Sequence, residues 1–337
     1  MKRAAVFACV ALAAALSCGT EEAAEFPPPA IEAAKAAVTK IDAAKLRTDV
    51  QAIYDVRQKE VPVISQFAPV GTNRPHVHET SAAYMEEQFR ALGYAPTVDE
   101  SSGGGMDGLR TVYVTIPGRE PDQVLLTGHH DAWFQSGADD NASSLAILLE
   151  AARVLKDVKP RRTIRIIAFD GEEEGLVGSA RYLALHGAEP VHMVVNMDCI
   201  GYAKADQGSQ GFPPGFALGD IKNFDVGDFV LVIANEPAKA ALSKTVLLTN
   251  QFPDHVRALG LLAPDDAHVS ATLEFLRSDH AWYWRAGIPG VFLGDTANFR
   301  NPNYHTQNDT PETLDYAFLY GAAKLAIGAT IAFSEAD

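Results

Sequence analysis

From residue 111 to residue 198 short apolar runs alternate with longer stretches of helical periodicity, and no other feature of the chain restricts its fold as strongly. Apolar strands are predicted at 111 to 116 and 123 to 128, a helix at 142 to 156, a strand at 163 to 169, a helix at 176 to 186 and a strand at 192 to 198. Strands separated by helices of this length run parallel rather than as hairpins, and the helices cover both faces of the sheet. The sequence therefore predicts an α/β fold, three-layer α/β/α, with a central, mostly parallel mixed sheet.

The flanking segments extend the pattern without repeating it. Helices are expected at about 43 to 59 and at 79 to 92, the latter stopped by Gly93. After the Gly- and Pro-rich stretch from Ala203 to Gly227, which reads as a long functional loop, come a strand at 228 to 234 and a helix near 236 to 247. A helix after Ser278, a strand at 289 to 293 and a last amphipathic helix from 311 complete one domain, 41 to 337.

The amino terminus reads differently. Met1-Lys2-Arg3 and the apolar run Ala4 to Leu16 have the charged and apolar parts of a secretory signal, here 1 to 17, and the run is too short to span a bilayer. Ala15-Leu16-Ser17-Cys18 resembles the bacterial lipobox, so Cys18 is expected to carry a lipid anchor. Residues 18 to 40, rich in Ala, Glu and Pro, read as that anchor and a flexible tether. The expected location is outside the cytoplasm: periplasmic or outer-membrane-anchored as a lipoprotein, otherwise secreted. Once Cys9 is removed only Cys18 and Cys199 remain, so no disulfide framework is expected. A formal charge of -15 with no basic cluster excludes nucleic acid as a partner and leaves the lipid as the only membrane contact.

Several predicted strands stop at metal-binding residue types. Gln123 to Thr127 leads into Gly128-His129-His130-Asp131, and the carboxyl ends of strands are where open α/β sheets bind ligands. His129 and Asp131 point the same way on an extended backbone, a pairing in which the acid can fix the tautomer of a metal-bound imidazole. Asp139-Asp140-Asn141 precedes the helical run from Leu145, where one acid could serve as an N-cap but not both. The strand at 164 to 169 ends in Asp170-Gly171-Glu172-Glu173-Glu174, a repulsive run that needs either water or a cation. Asp198 ends the next strand, and His305 follows Tyr304 in a later loop. In the order His, Asp, Glu-Glu, Asp, His, without a cysteine cluster, these groups suit an open zinc site rather than a closed structural one. Three ligand carboxylates and a bridging hydroxide balance two dications, so two zinc ions per chain are expected.

The set resembles the co-catalytic di-zinc exopeptidase family of bacterial aminopeptidases, glutamate carboxypeptidases and related glutaminyl cyclases. The likeness covers roughly residues 75 to 320 and rests on Glu172 to Ser179, Asn196-Met197-Asp198, Ser278-Asp279-His280 and Asn301 to Thr306. It implies the zinc-exopeptidase type of fold and peptide substrates cut at a chain terminus, most commonly as an aminopeptidase. It also implies that Asp139 bridges the metals, that His129 and Asp198 complete one zinc, and that Glu173 and His305 complete the other. Glu172 would be the base that activates a water bridging the zinc ions, Tyr304 would hydrogen-bond the oxyanion, and Asp131 and Asp279 would support the ligands. A slip of one position would pass the roles of Glu172 and Glu173 to Glu173 and Glu174.

Other readings stay open at this level. Arg300, close to Tyr304, could bind a substrate carboxylate, as in a carboxypeptidase or dipeptidase, or could be a structural partner. A glutaminyl cyclase would work with one zinc, and a non-catalytic lipoprotein would only bind metal or peptide. His76, His78 and His130 are expected to be ordinary satisfied or exposed histidines.

Overall fold

The apolar runs become the strands of one sheet, and their ends become the site. The computed structural model describes residues 25–60, 78–103, 106–133, 135–213, 224–263 and 273–336. The signal sequence, Cys18 and His76 lie outside the described residues. The strands are β1 (Thr97–Gly103), β2 (Met106–Ile116), β3 (Glu120–His129), β4 (Arg162–Phe169), β5 (Val191–Met197), β6 (Phe229–Ala234), β7 (Arg257–Leu262) and β8 (Gly290–Gly294). They form a mixed sheet in the order β1-β2-β4-β3-β5-β8-β6-β7. Its centre, β4-β3-β5-β8, is parallel, while β1, β2 and the β6-β7 pair join with antiparallel neighbours.

Side-chain alternation along the strands buries apolar residues on both faces of the sheet. Val112, Val114, Val124, Leu126, Ile164 and Ile166 face the layer formed by α1 (Pro28–Val38), α2 (Ala43–Gln58), α3 (Glu79–Ala91), α4 (Ser144–Leu155), α6 (Lys239–Leu248) and α8 (Tyr316–Glu335). Tyr113, Leu125, Ile167 and Val194 face the opposite layer, where Tyr182 of α5 (Val177–His186) and Tyr283 of α7 (His280–Arg285) pack with them. The three-layer α/β/α expectation is met. β1 and β7 were not foreseen, because Thr97–Gly103 is polar and partly exposed and Arg257–Leu262 is a short run that begins with a charge and contains Gly260.

Two expectations need correction. The final helix, α8, is not amphipathic: from Phe318 to Ser334 every residue but Tyr320 is buried, the pattern of a helix enclosed on all sides. Gly328 permits that enclosure, since a Cβ there would lie 2.6 Å from the ring of Phe252. The tether at 18 to 40 is contradicted over its described part. Residues 28–38 form α1, started by Pro at its first positions, and Ala30, Ala34, Ala37 and Val38 are buried. Phe26 packs edge-on against Phe333 of α8 with ring centroids 4.9 Å apart. An alanine-rich stripe reads as too weakly apolar for a core, but its small side chains are what let α1 lie close against α8. The segment from 203 to 227 is a loop over its described limbs, which are tied together, Lys204 N donating to Gly227 O and Gln210 N to Asp225 O.

Ala34 is fully buried, so an Ala34→Asp variant should lose about 2–4 kcal/mol of stability in urea unfolding, the cost of an unpaired buried polar group. A tether residue would tolerate the change with no measurable loss.

Candidate metal centre

β4 lies on one side of β3 and β5 on the other, so successive connections depart from the carboxyl end of β3 in opposite directions and leave a crevice there. His129 ends β3, Glu172 and Glu173 follow β4, Asp198 follows β5, and His305 stands in the loop between β8 and α8. The loop from β3 into α4 supplies the remaining acid, and it makes a sharp turn to do so. Gly137 sits at φ +50, where a Cβ would collide with the carbonyl of Asp140. Asp140 and Asn141 then adopt non-helical angles, and the peptide bond between them is cis.

The acid that reaches the centre is Asp140, not Asp139. Asp140 Oδ1 lies 3.2 Å from His129 Nε2, and its Oδ2 lies 3.1 Å from His305 Nε2. Asp139 points the other way: its carboxylate accepts from Gly201 N and from Asn301 Nδ2, both at 2.8 Å. The bridging position expected for Asp139 is corrected accordingly. Adjacent residues in a kinked segment present their side chains to different sides, and nothing in an Asp-Asp pair says which one faces the crevice. The other expected residues converge. Asp198 Oδ1 is 3.4 Å from His129 Nε2, and Glu173 Oε2 is 3.3 Å from His305 Nε2. Glu172 groups with His129 and Asp198, so the register of the glutamate run is Glu172 and Glu173, with Glu174 outside the cluster.

These contacts are not aligned as hydrogen bonds. His129 Nε2 and His305 Nε2 are both buried atoms without a hydrogen-bond partner, although carboxylate oxygens surround them. The edge of a tetrahedron of ligands with bonds of about 2.0–2.1 Å is about 3.3–3.4 Å, close to the spacings found. Donor atoms that converge at such separations without bonding one another fit a cation at each focus. The electrostatics agree. Burial, together with Asp140, pushes Glu173 up to about 7 against the pull of His305 and His129. Burial likewise lifts Glu172 well above the carboxylate range, with Asp198 and Glu173 adding to the rise and His129 opposing it. Burial would depress His129, but the carboxylates around it hold its pKa well above the usual value.

Supporting groups fix the loops. Asp131 accepts from the backbone N–H of Glu172 at 3.2 Å and of Glu173 at 3.0 Å, and its Oδ1 faces His129 Nδ1 at 3.5 Å. Its carboxylate thus holds both glutamates, while its backbone carbonyl stands 3.1 Å from His129 Nδ1; although burial opposes ionisation, His129 beside it brings Asp131 down to about 2. Asp279 is buried near the same groups and makes no capping bond to α7; burial raises it to about 7. Asp309, which sequence reasoning passed over, accepts from the backbone N–H of Asp139 at 2.9 Å and of Asp140 at 3.1 Å. Burial and then the charge of Asp139 push it up to about 8. Arg57 of α2 was also missed: fully buried, its guanidinium donates to the carbonyls of His130, Asp131, Ser136 and Gly137. A helical arginine gives no sign in sequence that its end lies under a distant loop.

Tyr304 stacks on His305, centroids 3.9 Å apart, and lines an apolar cavity beside the centre, with Leu231, Ile233, Leu261 and Phe292 among its walls. Arg300 does not enter the cavity. It is buried, donating to Gln210 Oε1 and the carbonyl of Phe229, both at 2.8 Å, so the substrate-carboxylate role weighed for it is contradicted. His130 is satisfied, with Nε2 2.8 Å from Arg110 O and Nδ1 3.1 Å from Ser81 Oγ. His78 is satisfied as well, with Nδ1 3.0 Å from Asp170 Oδ2.

Known proteins share this arrangement of sequence and fold. The chain is 29% identical over 253 residues to the uncharacterized protein YfbL of Escherichia coli (strain K12), covering 70% of this chain and 74% of that one. It is 30% identical to a probable leucine aminopeptidase of Trichophyton verrucosum over 64% of this chain, but spans only 54% of the length of that relative. The structure of the LapA aminopeptidase of Legionella pneumophila superposes with a TM-score of 0.65 at 19% identity, over 95% of this chain and 76% of that one, which shows a common fold. The model of Peptidase family M28 matches residues 111–218 and 237–330, more than half of the chain. With the fold and the converging ligand set, that match makes the chain a member of Peptidase family M28, an exopeptidase-type hydrolase.

Proposed function

We propose that the protein is a zinc-dependent aminopeptidase that binds two zinc ions per chain. The observation that carries this reading is Asp140, whose two oxygens each face a different unbonded imidazole nitrogen. His129 and Asp198 would hold one ion with one oxygen of Asp140, and His305 and Glu173 the other ion with the second. A glutaminyl cyclase, working with one zinc, has no use for the second set. When bound, zinc supplies a Lewis acid for the scissile carbonyl and eases the ionisation of water.

The chain's own residues do the rest. Glu172, buried and with a raised pKa, takes the proton of the attacking water and passes it to the leaving amine. Asp131 keeps that carboxylate in place through the backbone N–H of Glu172. Tyr304 donates its hydroxyl to the oxygen that gains charge as the carbonyl is attacked. The apolar cavity takes the side chain of the terminal residue and excludes water from it.

The choice of the amino terminus rests on charge. The one cation in the described lining of the cavity, Arg277, is already paired with Glu274 at 2.8 Å, and Asp198 is taken up by the metal. Such a surface offers the carboxylate of a peptide terminus no free cation. The fungal relatives named as leucine aminopeptidases support the same direction. The substrates are then peptides in the space outside the cytoplasm, reached through the signal sequence at 1 to 17 and a lipid anchor at Cys18.

Three outcomes test this. Leucine p-nitroanilide and free-amine dipeptides with blocked carboxyl ends should be cleaved, with loss of activity in chelator and recovery with zinc; cleavage that instead requires a free carboxylate would sink the aminopeptidase reading. Glu172→Gln should lower kcat by about 10²–10⁴-fold while zinc content stays at wild type. In zinc titrations, Asp140→Asn should bind both ions at least about tenfold more weakly, whereas Asp139→Asn should still bind two. Equal loss in the two variants would contradict the assignment of Asp140.

A further inference from the structure

At one corner of the cavity beside the centre a guanidinium meets a phenol. Arg277 Nη2 donates to Tyr304 Oη at 3.1 Å, and Arg277 Cζ lies 5.7 Å from the centre of the Tyr304 ring. The guanidinium is itself held, its Nη1 donating to Glu274 Oε2 at 2.8 Å and to Asn298 Oδ1 at 2.9 Å. On its other side the Tyr304 ring lies on His305, 14° from parallel, and His305 in turn stacks on Trp133 at 5.4 Å and 7°. The phenol is therefore fixed twice, its ring by the histidine and its oxygen by the arginine.

The chemistry of that contact has a direction. A guanidinium carries only donors, so it occupies a lone pair of Tyr304 Oη and can never accept the phenol proton. The O–H must then point away from Arg277, and both residues line the same cavity. A cation on the lone pair also draws electron density from the O–H bond and makes it a stronger donor. Glu274 cancels the charge, so the cavity gains a polarised hydroxyl without gaining a site for a carboxylate.

We propose that Arg277 is a positioning residue that aims and polarises the Tyr304 hydroxyl toward the carbonyl oxygen of the scissile bond. This rests on the reading of Tyr304 as the oxyanion donor. Arg277 itself touches no reacting atom; its effect on the rate passes through Tyr304 and vanishes when the hydroxyl is removed.

A double-mutant cycle on the zinc-loaded full chain, with leucine p-nitroanilide as the probe, tests this. Arg277→Met should lower kcat roughly tenfold with KM within about twofold, and Tyr304→Phe should lower kcat about 10²-fold. Adding Arg277→Met to Tyr304→Phe should cost less than about twofold more. Arg277→Lys, which keeps one charged donor, should fall between wild type and Arg277→Met, and it repeats the cycle if the methionine variant is recovered unfolded. A tenfold loss from Arg277→Met in both backgrounds, or a loss confined to KM, would overturn the proposal. A slow Tyr304→Phe beside a fully active Arg277→Met removes this inference alone. A fully active Tyr304→Phe removes the oxyanion role of Tyr304 and this inference with it.

Discussion

The carboxylate of Asp140, held between two imidazoles, is the constraint on which the rest of the centre depends. Its oxygens lie 3.2 Å from His129 and 3.1 Å from His305, so one short side chain fixes the separation of residues 176 positions apart in sequence. To reach that point the chain must leave β3, turn at Gly137 and enter α4 only after Asn141. Every supporting contact nearby serves that path. Asp309 receives the N–H groups of Asp139 and Asp140, and Asn141 donates to Met197 O at 3.2 Å and accepts from Cys199 N at 3.3 Å. The loop carrying Asp140 is thus joined to the loop carrying Asp198.

Concentrating so many acids in a buried crevice costs free energy, because removing a carboxylate from water without compensation is expensive. The chain offsets that cost in two ways. Arg57 brings a permanent charge beneath the crevice; burial lowers its pKa only to about 10, so it stays protonated near neutral pH. Backbone N–H groups at Glu172, Glu173, Asp139, Asp140 and Gly201 receive the acids that do not face the foci. Among the buried atoms that remain unmatched are His129 Nε2 and His305 Nε2, and with the carboxylate oxygens around them these are the ones a cation would satisfy.

Much of this was legible in the sequence, and the reasons for the remainder are physical. The central strands and most of the helices followed from alternation and periodicity, because a sheet buried on both faces leaves a continuous apolar record. His129, Glu172, Glu173, Asp198 and His305 were legible as polar residues at strand ends or in a punctuated loop. Asp140 was not separable from Asp139, since the choice depends on backbone angles that a two-residue acidic pair does not encode. Arg57, Asp309 and Arg277 were invisible for a different reason. Each acts on residues at least 27 positions away, and an isolated charged residue carries no mark of a distant partner. The error over α1 came from reading alanine as a linker residue, where small side chains instead allow two helices to lie close.

The claim that one carboxylate serves two ions is tested most directly by diffraction from zinc-soaked crystals, recorded on both sides of the zinc absorption edge. The account predicts two separate anomalous peaks, one within bonding reach of His129, Asp198 and an oxygen of Asp140, the other within reach of His305, Glu173 and its second oxygen. A single peak, or a second one bonded to Asp139 in place of Asp140, would contradict it.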